Sequence, residues 1–241
     1  MWHNMNQTLY LEHDGKVLLV DLDGKGPQKA VMGRNGDVTL RLPTISEVEA
    51  MGIDWVERRV NRIRFGKEIH EVIYALPEID WPEHWTWKDK LISDDCVHPL
   101  ARECVYRSMH RVVAKVILIN SHNEVAMAKV KRGFFTGHWT LPGGFVDYAE
   151  HPLEGARREV LEELGLSVQI DAQDIVQIAE RIFTSEGVQF LSFTYKCNVD
   201  DGVQFEPKAD EIEEAKWFSI DQALANAASL FDVEALRSLH E

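Results

Sequence analysis

The stretch that decides the fold of the C-terminal half is GFVDYAEHPLEGARREVLEELGL, residues 144–166. Its second half carries apolar residues at steps of three and four, the period of one face of an α-helix. These residues are Ala156, Val160, Leu161 and Leu164. Gly165 follows the last of them, where a glycine commonly ends a helix. The pattern therefore predicts an amphipathic helix that stops at Gly165.

Three carboxylates crowd onto this predicted helix. Glu159, Glu162 and Glu163 lie within one turn of each other, so their charges would repel. A helix rich in Glu and Arg is most often only a solvated surface. Here, however, a cation among the carboxylates would relieve the repulsion, and Mg2+ typically takes carboxylate oxygens together with substrate phosphates as ligands. The sequence therefore predicts a metal site on this helix.

The whole stretch resembles the Nudix box, G-x5-E-x7-R-E-U-x-E-E-x-G-U with U apolar, at every position from Gly144 to Leu166. The chain is thereby identified as a member of the Nudix hydrolases, and the resemblance extends from about Arg111 onward. It implies an α/β/α sandwich with a mixed sheet. The strand and helix patterns before it predict a smaller α+β N-terminal domain, so an α+β protein is expected. It further implies that water attacks phosphorus in the phosphoanhydride of a nucleoside diphosphate linked to another group.

The resemblance also implies roles for the box residues. Glu162 and Glu163 resemble the main metal ligands, and Glu159 resembles a further ligand or the partner of the attacking water. Arg158 resembles the residue that orients a box glutamate through a charge-assisted hydrogen bond. The Gly143 carbonyl is a candidate ligand. The implied ion is Mg2+, with Mn2+ as a substitute; it would neutralise phosphoryl charge and lower the pKa of a bound water.

Many Nudix enzymes take one more carboxylate, sometimes the general base, from a loop well after the box. The acidic run from Glu206 to Glu214 is the expected source here. Glu211 is the predicted catalytic residue, with Glu213 and Glu214 as substitutes, because the sequence does not show which side chain points inward. A solvated acidic loop is the alternative for each of them.

Substrate contacts are expected from two other segments. Lys131 and Arg132 stand on the pocket side of the Nudix resemblance, where they would contact phosphate. Trp85 belongs to a tryptophan-rich loop at residues 79–90, and such rings can stack on a base. The alternative for this loop is a domain or dimer interface, where large amphipathic rings bury well.

Composition narrows the class of protein. The 241 residues allow one large domain or two small ones, and 45% hydrophobic residues is ordinary for a globular chain. A formal net charge of -14 disfavours nonspecific binding to nucleic acid. Cys96, Cys104 and Cys197 form no CxxC pair, which disfavours a disulfide framework or a zinc ribbon.

No secretory signal is recognisable, and the longest apolar run, Val112 to Ile119, is too short to cross a membrane. A cytoplasmic protein is expected.

A boundary between domains is predicted near residue 105, giving domains at 1–105 and 106–241. Short strands at Leu9–Glu12 and Val17–Asp21, joined by a turn at Asp14 and Gly15, are expected in the first. A Thr44–Glu47 capping box predicts a helix from Ile45 to about Met51, and Pro99 suits the first turn of another helix, from Asp94 or Asp95 to about Tyr106. The basic segment at 58–67 is expected to be a solvated or subunit-facing edge.

The second domain is expected to alternate strands with a few helices. Its predicted strands are Arg111–Asn120, Glu124–Val130, Ile175–Thr184, Val188–Asn198 and Ala215–Ser219. A hairpin through Ser185, Glu186 and Gly187 joins the third and fourth of these. Two helices are expected at the end, one capped by Asp221 and running to about Ala228, the other from Val233 to His240.

No sequence signature identifies which group is linked to the nucleoside diphosphate in the substrate. NADH pyrophosphatases carry a four-cysteine ribbon and an SQPWPFP segment, neither of which is present, and Arg181 stands where many ADP-ribose pyrophosphatases have a proline. ADP-ribose or a dinucleotide such as NADH is the favoured substrate. The alternatives are a Nudix enzyme that sanitises nucleoside triphosphates and a Nudix-like nucleotide-sensing regulator. The intact glutamates and the lack of a basic recognition helix disfavour the regulator. An isopentenyl diphosphate isomerase shares the fold but needs a catalytic cysteine in the strand and loop just before the box. None of the three cysteines lies there, which disfavours this class. A homodimer is expected, with residues 1–105 serving dimerisation or substrate capping.

Overall fold

The computed structural model describes residues 7–65, 67–182 and 187–239. The chain divides into two compact units, Met1–Met109 with Ile182–Gln189, and His110–Arg181 with Phe190–Glu241. The division after Met109 falls a few residues beyond the predicted boundary, and no pattern predicted that the 182–189 segment would group with the N-terminal unit. The expected turn at Ser185 and Glu186 lies outside the described residues.

The N-terminal unit is built on a five-stranded sheet. In the order β5-β6-β1-β2-β7, only β1 and β6 pair in parallel. Its elements are β1 (Thr8–His13), β2 (Lys16–Val17), β3 (Val20–Asp21), β4 (Leu40–Arg41), α1 (Ile45–Ala50), β5 (Trp55–Phe65), β6 (Glu68–Pro77), β7 (Thr86–Trp87), α2 (Lys88–Ile92) and α3 (Pro99–Ser108).

Two local predictions in this unit are confirmed. Asp14 and Gly15 both have positive φ, 48° and 72°, which is the backbone of a tight turn between β1 and β2. Thr44 accepts from the Glu47 N–H while the Glu47 side chain accepts from the Thr44 N–H, the reciprocal capping box that begins α1.

The β5–β6 hairpin was not predicted. The basic segment is strand β5, and its Arg58, Arg62 and Arg64 are exposed while Asn61 and Ile63 are buried. Alternation is thus present, but charged residues occupy the exposed face so densely that the segment resembles a solvated edge. Helix α3 also differs from expectation, because it begins only at Pro99 after the cap His98.

The C-terminal unit is built on a seven-stranded sheet. Its path is β10-β9-β8-β13-β12, with β11 pairing β8 and β14 pairing β9. Its elements are β8 (His110–Ile119), β9 (Glu124–Val130), β10 (Trp139–Thr140), β11 (Gly143–Phe145), α4 (Pro152–Leu164), β12 (Ile175–Ile182), β13 (Gln189–Asn198), β14 (Ile212–Ser219), α5 (Ile220–Asn226) and α6 (Leu230–Arg237).

Helices cover both faces of this sheet, which confirms the predicted α/β/α sandwich. Side chains of β8 alternate between the two faces, as the pleat of a strand requires. Val116 and Leu118 pack in a cluster with Val160 of α4. Ile117 packs in a second cluster with Leu236 of α6. All five of these side chains are fully buried, so the sheet packs α4 on one face and α6 on the other.

Helix α4 follows from local sequence at both ends. His151 caps its N-terminus through a reciprocal pair with Glu154, and Pro152 occupies the first turn. Gly165 ends it in the left-handed conformation with φ 71°, as predicted. The predicted apolar stripe was wrong at Leu161, which is 52% exposed. The buried stripe is narrower, because one flat sheet face contacts only the line of Ala156, Val160 and Leu164.

The C-terminal helices lie near their predicted places with different caps. Ser219, not Asp221, caps α5, because its side chain accepts from the Gln222 N–H. Helix α6 begins at Leu230, before the predicted Val233. Across the described ranges, no helix has the length and apolar character to span a bilayer.

Candidate active site

Glu163 lies in the last turn of α4 and is turned into the protein. One carboxylate oxygen, Oε2, accepts the backbone N–H of Gly143 on β11 over 2.9 Å. Burial raises the pKa of Glu163 to about 8, and the negative charges of Glu159 and Glu211 act in the same direction. The Gly143 N–H and the Lys115 ammonium oppose this rise. Glu163 is therefore a buried carboxyl among like charges.

Glu159 lies one turn earlier on α4, and its side chain is only 13% exposed. Burial raises the pKa of this carboxyl as well. A Cβ at Gly144 would lie 2.7–2.8 Å from the Glu159 carboxylate atoms, closer than real contacts allow. Gly144 is therefore small because the Glu159 carboxylate occupies the space beside it.

Gly143 has a separate reason to be glycine. Its φ of 144° is unfavourable for other residues, and a Cβ would lie 2.7 Å from the Lys115 Cα on β8. The two strands are thus pressed together where Gly143 pairs with Lys115. This close approach sets the position of the Gly143 backbone, whose carbonyl is a predicted metal ligand.

Arg158 ties the box loop to the box helix. Its Nε and Nη2 atoms bind both oxygens of Glu150 at 2.8 and 2.9 Å, and Nη1 binds Glu159 Oε1 at 2.8 Å. Nη2 also donates to the Phe145 carbonyl at 2.8 Å, and Glu162 Oε2 lies 3.4 Å from Nη1. The Arg158 guanidinium lowers the pKa of Glu150, and the bond to Glu150 raises the pKa of Arg158. Arg158 therefore orients Glu159, the contact that the Nudix resemblance implies.

The three candidates in the acidic run have different surroundings. Glu211, just before β14, is coupled electrostatically to Glu159 and Glu163 and raises the pKa of both. Glu211 pairs with Arg132 and Lys208, and Glu213 pairs with Lys129 at 2.9 Å. Glu214 lies 3.4 Å from Lys216 and is half exposed. The geometry favours Glu211 over its two neighbours, and its catalytic role stays a prediction.

Lys131 and Arg132 are exposed, and both make polar contacts with the acidic run. The Lys131 ammonium donates to the Ala209 carbonyl at 2.6 Å. Arg132 forms an ion pair with Glu211 and lies 3.5 Å from Asp210. Both cations therefore stabilise the turn that presents Glu211, while their contact with substrate phosphate remains a prediction.

Trp85 does not fit the predicted substrate contact. It is 6% exposed and packs in the N-terminal unit against Leu9, Leu11, Leu18 and Val48. Its ring is enclosed by aliphatic side chains, so no base can stack on it, and the prediction was wrong. The burial of one large ring supplies more apolar contact than exposure on a loop would.

Several residues at the box were not predicted. Phe134 and Phe145 are 72% and 58% exposed, and Tyr148 is fully exposed. Aromatic residues on Gly-containing loops beside the box were the available signal. A site role for Lys115 was also not predicted. This lysine interrupts an apolar strand, a pattern that indicates a buried charged side chain.

The donor chemistry of this cluster fits a hard divalent cation. It offers carboxylate oxygens and the Gly143 carbonyl, and two of the carboxyl groups, Glu159 and Glu163, are buried, which raises the pKa of each. Gly144 leaves room beside Glu159. Within the part of the chain that the structure describes, however, no three acidic, His or Cys side chains are gathered closely enough to hold an ion. The ligand set of Gly143, Glu159, Glu162 and Glu163 thus remains a prediction.

Comparison with known proteins gives a family and several relatives. A family model of the NUDIX domain matches residues 109–239. The NAD-capped RNA hydrolase NudC of Pseudomonas fluorescens is 24% identical over 198 residues, covering 77% of this chain and 67% of that protein. The oxidized purine nucleoside triphosphate hydrolase of Mus musculus is 32% identical over 107 residues, covering 44% of this chain and 65% of that protein.

Solved structures resemble part of the chain. The MutT NUDIX hydrolase of Burkholderia pseudomallei has a TM-score of 0.48 and 24% identity, over 54% of this chain and 98% of that one. The family model covers more than half of the 241 residues and contains the whole box. The chain therefore belongs to the Nudix family, as the box predicted, and is a hydrolase of phosphorus-containing anhydrides.

Proposed function

We propose that this protein hydrolyses, with Mg2+, the phosphoanhydride of a nucleoside diphosphate linked to another group, with ADP-ribose or a dinucleotide such as NADH as substrate. The observation that carries the proposal is the pair of buried carboxyl groups, Glu159 and Glu163, beside Gly144 and Gly143, with the charge of Glu211 near enough to raise the pKa of both. Carboxylates packed in this way need a cation, and phosphoanhydride cleavage needs the same cation to neutralise phosphoryl charge.

The proposed site residues have three roles: binding the metal ion, orienting a ligand and accepting a proton. Glu159, Glu162, Glu163 and the Gly143 carbonyl would hold the metal ion, which when bound neutralises phosphoryl oxygens and acidifies water. Arg158 keeps Glu159 oriented through its 2.8 Å hydrogen bond, with Glu150 holding the far side of the guanidinium. Glu211 would accept a proton from the attacking water, a role supported by the effect of its charge on the pKa of both Glu159 and Glu163.

The choice of substrate rests on the NudC relative. That alignment covers 77% of this chain, so it includes residues well before the Nudix domain match at 109–239. A protein named for NAD caps makes an ADP-containing diphosphate the favoured class here. Exposed Phe134, Phe145 and Tyr148 offer faces on which a base can stack. Lys131 would exchange the Ala209 carbonyl, and Arg132 its Glu211 and Asp210 partners, for substrate phosphate.

A second candidate, a nucleoside triphosphate as substrate, is favoured by the mouse relative. At 32% identity over 107 residues, this relative is more similar within its shorter alignment, but it covers only 44% of this chain. We therefore place oxidised or otherwise damaged nucleoside triphosphates second. The expectation of a cytoplasmic homodimer belongs to the same proposal, and light scattering of the purified chain would measure its mass.

The test is hydrolysis of a panel with Mg2+, followed by chromatography of the products. The panel holds ADP-ribose, NADH, a nucleotide sugar and an oxidised purine triphosphate. We expect cleavage of the first two to give a nucleoside monophosphate, and Glu162→Gln to lose it. Glu180→Gln, an exposed carboxylate on β12, is the matched control and should keep full activity.

Other outcomes separate the alternatives. Turnover of the triphosphate alone would establish the second candidate. Tight nucleotide binding without turnover on any diphosphate or triphosphate would favour a nucleotide sensor and overturn the proposal. Reaction in 18O-labelled water, with mass spectrometry of the products, would identify which phosphorus is attacked.

A further inference from the structure

An ion pair is buried in the C-terminal unit between β8 and α6. The Lys115 ammonium lies 2.7 Å from Asp232 Oδ1, and the Asp232 side chain is completely buried. Lys115 as a whole residue is only 7% exposed. Burying two charges is costly, and an apolar pair of similar volume commonly gives equal or greater stability. The pair therefore calls for a reason other than packing.

That reason is visible at Leu141. The second oxygen of Asp232, Oδ2, accepts the Leu141 N–H over 3.0 Å. The Lys115 ammonium donates to the Leu141 carbonyl over 3.4 Å. The ion pair thus binds both the backbone N–H and the backbone carbonyl of Leu141, which is fully buried. Apolar side chains of the same size would fill the space but would not hold these groups.

Leu141 stands two residues before Gly143. The next residue, Pro142, is also fastened to β8, because its carbonyl accepts the Val116 N–H at 2.9 Å. Gly143 itself pairs with Lys115 in the sheet and donates to Glu163. Each residue from Leu141 to Gly143 is therefore held by a hydrogen bond. The N–H of Gly143 in turn fixes the carboxylate of Glu163, a candidate metal ligand.

We propose that Lys115 and Asp232 are positioning residues that hold the Leu141–Gly143 backbone so that Gly143 and Glu163 face the metal site. The inference rests on the proposed function for its effect on catalysis, but its effect on metal binding is measured separately. Neither side chain touches substrate in this scheme. They act through Leu141, as outer partners of metal ligands do.

The first test is the double variant Lys115→Met with Asp232→Leu, which replaces the pair by apolar side chains. Binding of Mn2+ is measured by calorimetry, and kcat and KM on the best substrate are measured alongside thermal unfolding. We expect a folded protein whose Mn2+ affinity and kcat each fall by roughly tenfold to a hundredfold, with a smaller change in KM. Wild-type Mn2+ affinity and kcat in the folded double variant would overturn the proposal.

A second variant decides the matter if the double variant fails to fold. Asp232→Asn keeps an oxygen for the Leu141 N–H but removes the charge that holds Lys115, so weaker Mn2+ binding and lower kcat are expected. Asp94→Asn is the matched control, because Asp94 is likewise fully buried and forms a 2.7 Å ion pair, with Arg34, in the N-terminal unit. It should lower the melting temperature and leave Mn2+ affinity intact. Equal Mn2+ affinities for both variants and the wild type would contradict the positioning role.

The wild-type protein supplies a further measurement. Amide hydrogen exchange at Leu141 should be as slow as in the central strands, whereas exchange at the rate of an open loop would show that the clamp does not hold. If the wild type hydrolyses nothing on the panel, the proposed function fails, yet the Mn2+ titrations still test this inference. If the wild type is active and Asp232→Asn binds Mn2+ normally, only the inference fails.

Discussion

The backbone N–H of Gly143 and the carboxylate of Glu163 are joined by a 2.9 Å hydrogen bond. This bond connects strand β11 to the last turn of helix α4, so the two ends of the segment made up of the box loop and α4 meet at one carboxyl group. Glu163 is buried there beside Glu159 and within the field of Glu211. Burial raises the pKa of both Glu159 and Glu163, so the fold disfavours the charged form of each carboxyl group.

The first prediction concerns pH and stability without metal. Burial raises the pKa of Glu163 from 4.5 to about 8, so the folded protein binds this proton more tightly than the unfolded chain. Its stabilising contribution is complete below the unfolded pKa and is lost as pH rises through the folded pKa. In EDTA, the melting temperature of the wild type should therefore fall between about pH 5 and pH 8 more than that of Glu163→Gln. Parallel curves for the two proteins would contradict the assignment.

The second prediction separates the carboxylates of the acidic run. Glu211→Gln should lower kcat by roughly a hundredfold, with little change in KM, because a general base acts in the chemical step. Glu214→Gln is the matched control, since Glu214 is half exposed and its neighbour is Lys216. Steady-state kinetics on the best substrate would measure both. An unchanged kcat for Glu211→Gln would remove this loop from the mechanism.

The third prediction tests the fork of Arg158. Lysine carries the charge but cannot bind both oxygens of Glu150 and reach Glu159 at once. Arg158→Lys should therefore lower kcat by about tenfold or more while the protein stays folded. Arg107→Lys in α3 is a suitable control, because Arg107 makes a single-residue pair with Glu103 on a helix. Equal kcat for both variants would show that the bidentate geometry is unimportant.

The fourth prediction tests the space beside Glu159. Alanine at Gly144 would place its Cβ within 2.8 Å of the Glu159 carboxylate, which must then move. Mn2+ affinity should fall by about tenfold, because a displaced ligand binds less well. Calorimetric titration would measure this directly, and circular dichroism would show that the fold is kept. Wild-type affinity would mean that Glu159 does not contribute to the site.

The fifth prediction follows from the burial of Trp85. Trp85→Ala should destabilise the N-terminal unit by about 3–5 kcal/mol, as expected when a buried aromatic ring is removed. Trp81→Ala should cost less, because Trp81 is 55% exposed, although its ring lies 4.4 Å from the Lys16 ammonium. Thermal unfolding would rank the two variants. A larger loss for Trp81→Ala would contradict the packing of this loop.

The amino-acid sequence alone determined the features that depend on neighbours along the chain. Helix α4 ends at Gly165 with φ 71° because a residue without Cβ adopts this conformation at little cost. The Asp14–Gly15 turn and the Thr44 cap follow from equally local chemistry. The spacing of the box glutamates belongs to this class too, since a helix converts spacing directly into a shared face.

Only the tertiary structure decided which of these side chains meet. Leu161 satisfied the helical period but remained exposed, because a flat sheet covers a narrow line of α4. The sequence left Trp85 as either a stacking ring or an interface residue, and only the packing with Leu9, Leu11 and Leu18 showed that it belongs to the core. The Lys115–Asp232 pair joins a strand to the last helix, and a contact between such distant segments depends on how the sheet and helices pack. Long-range pairing has no signal in neighbouring residues, and for that physical reason it appears only once the chain is folded.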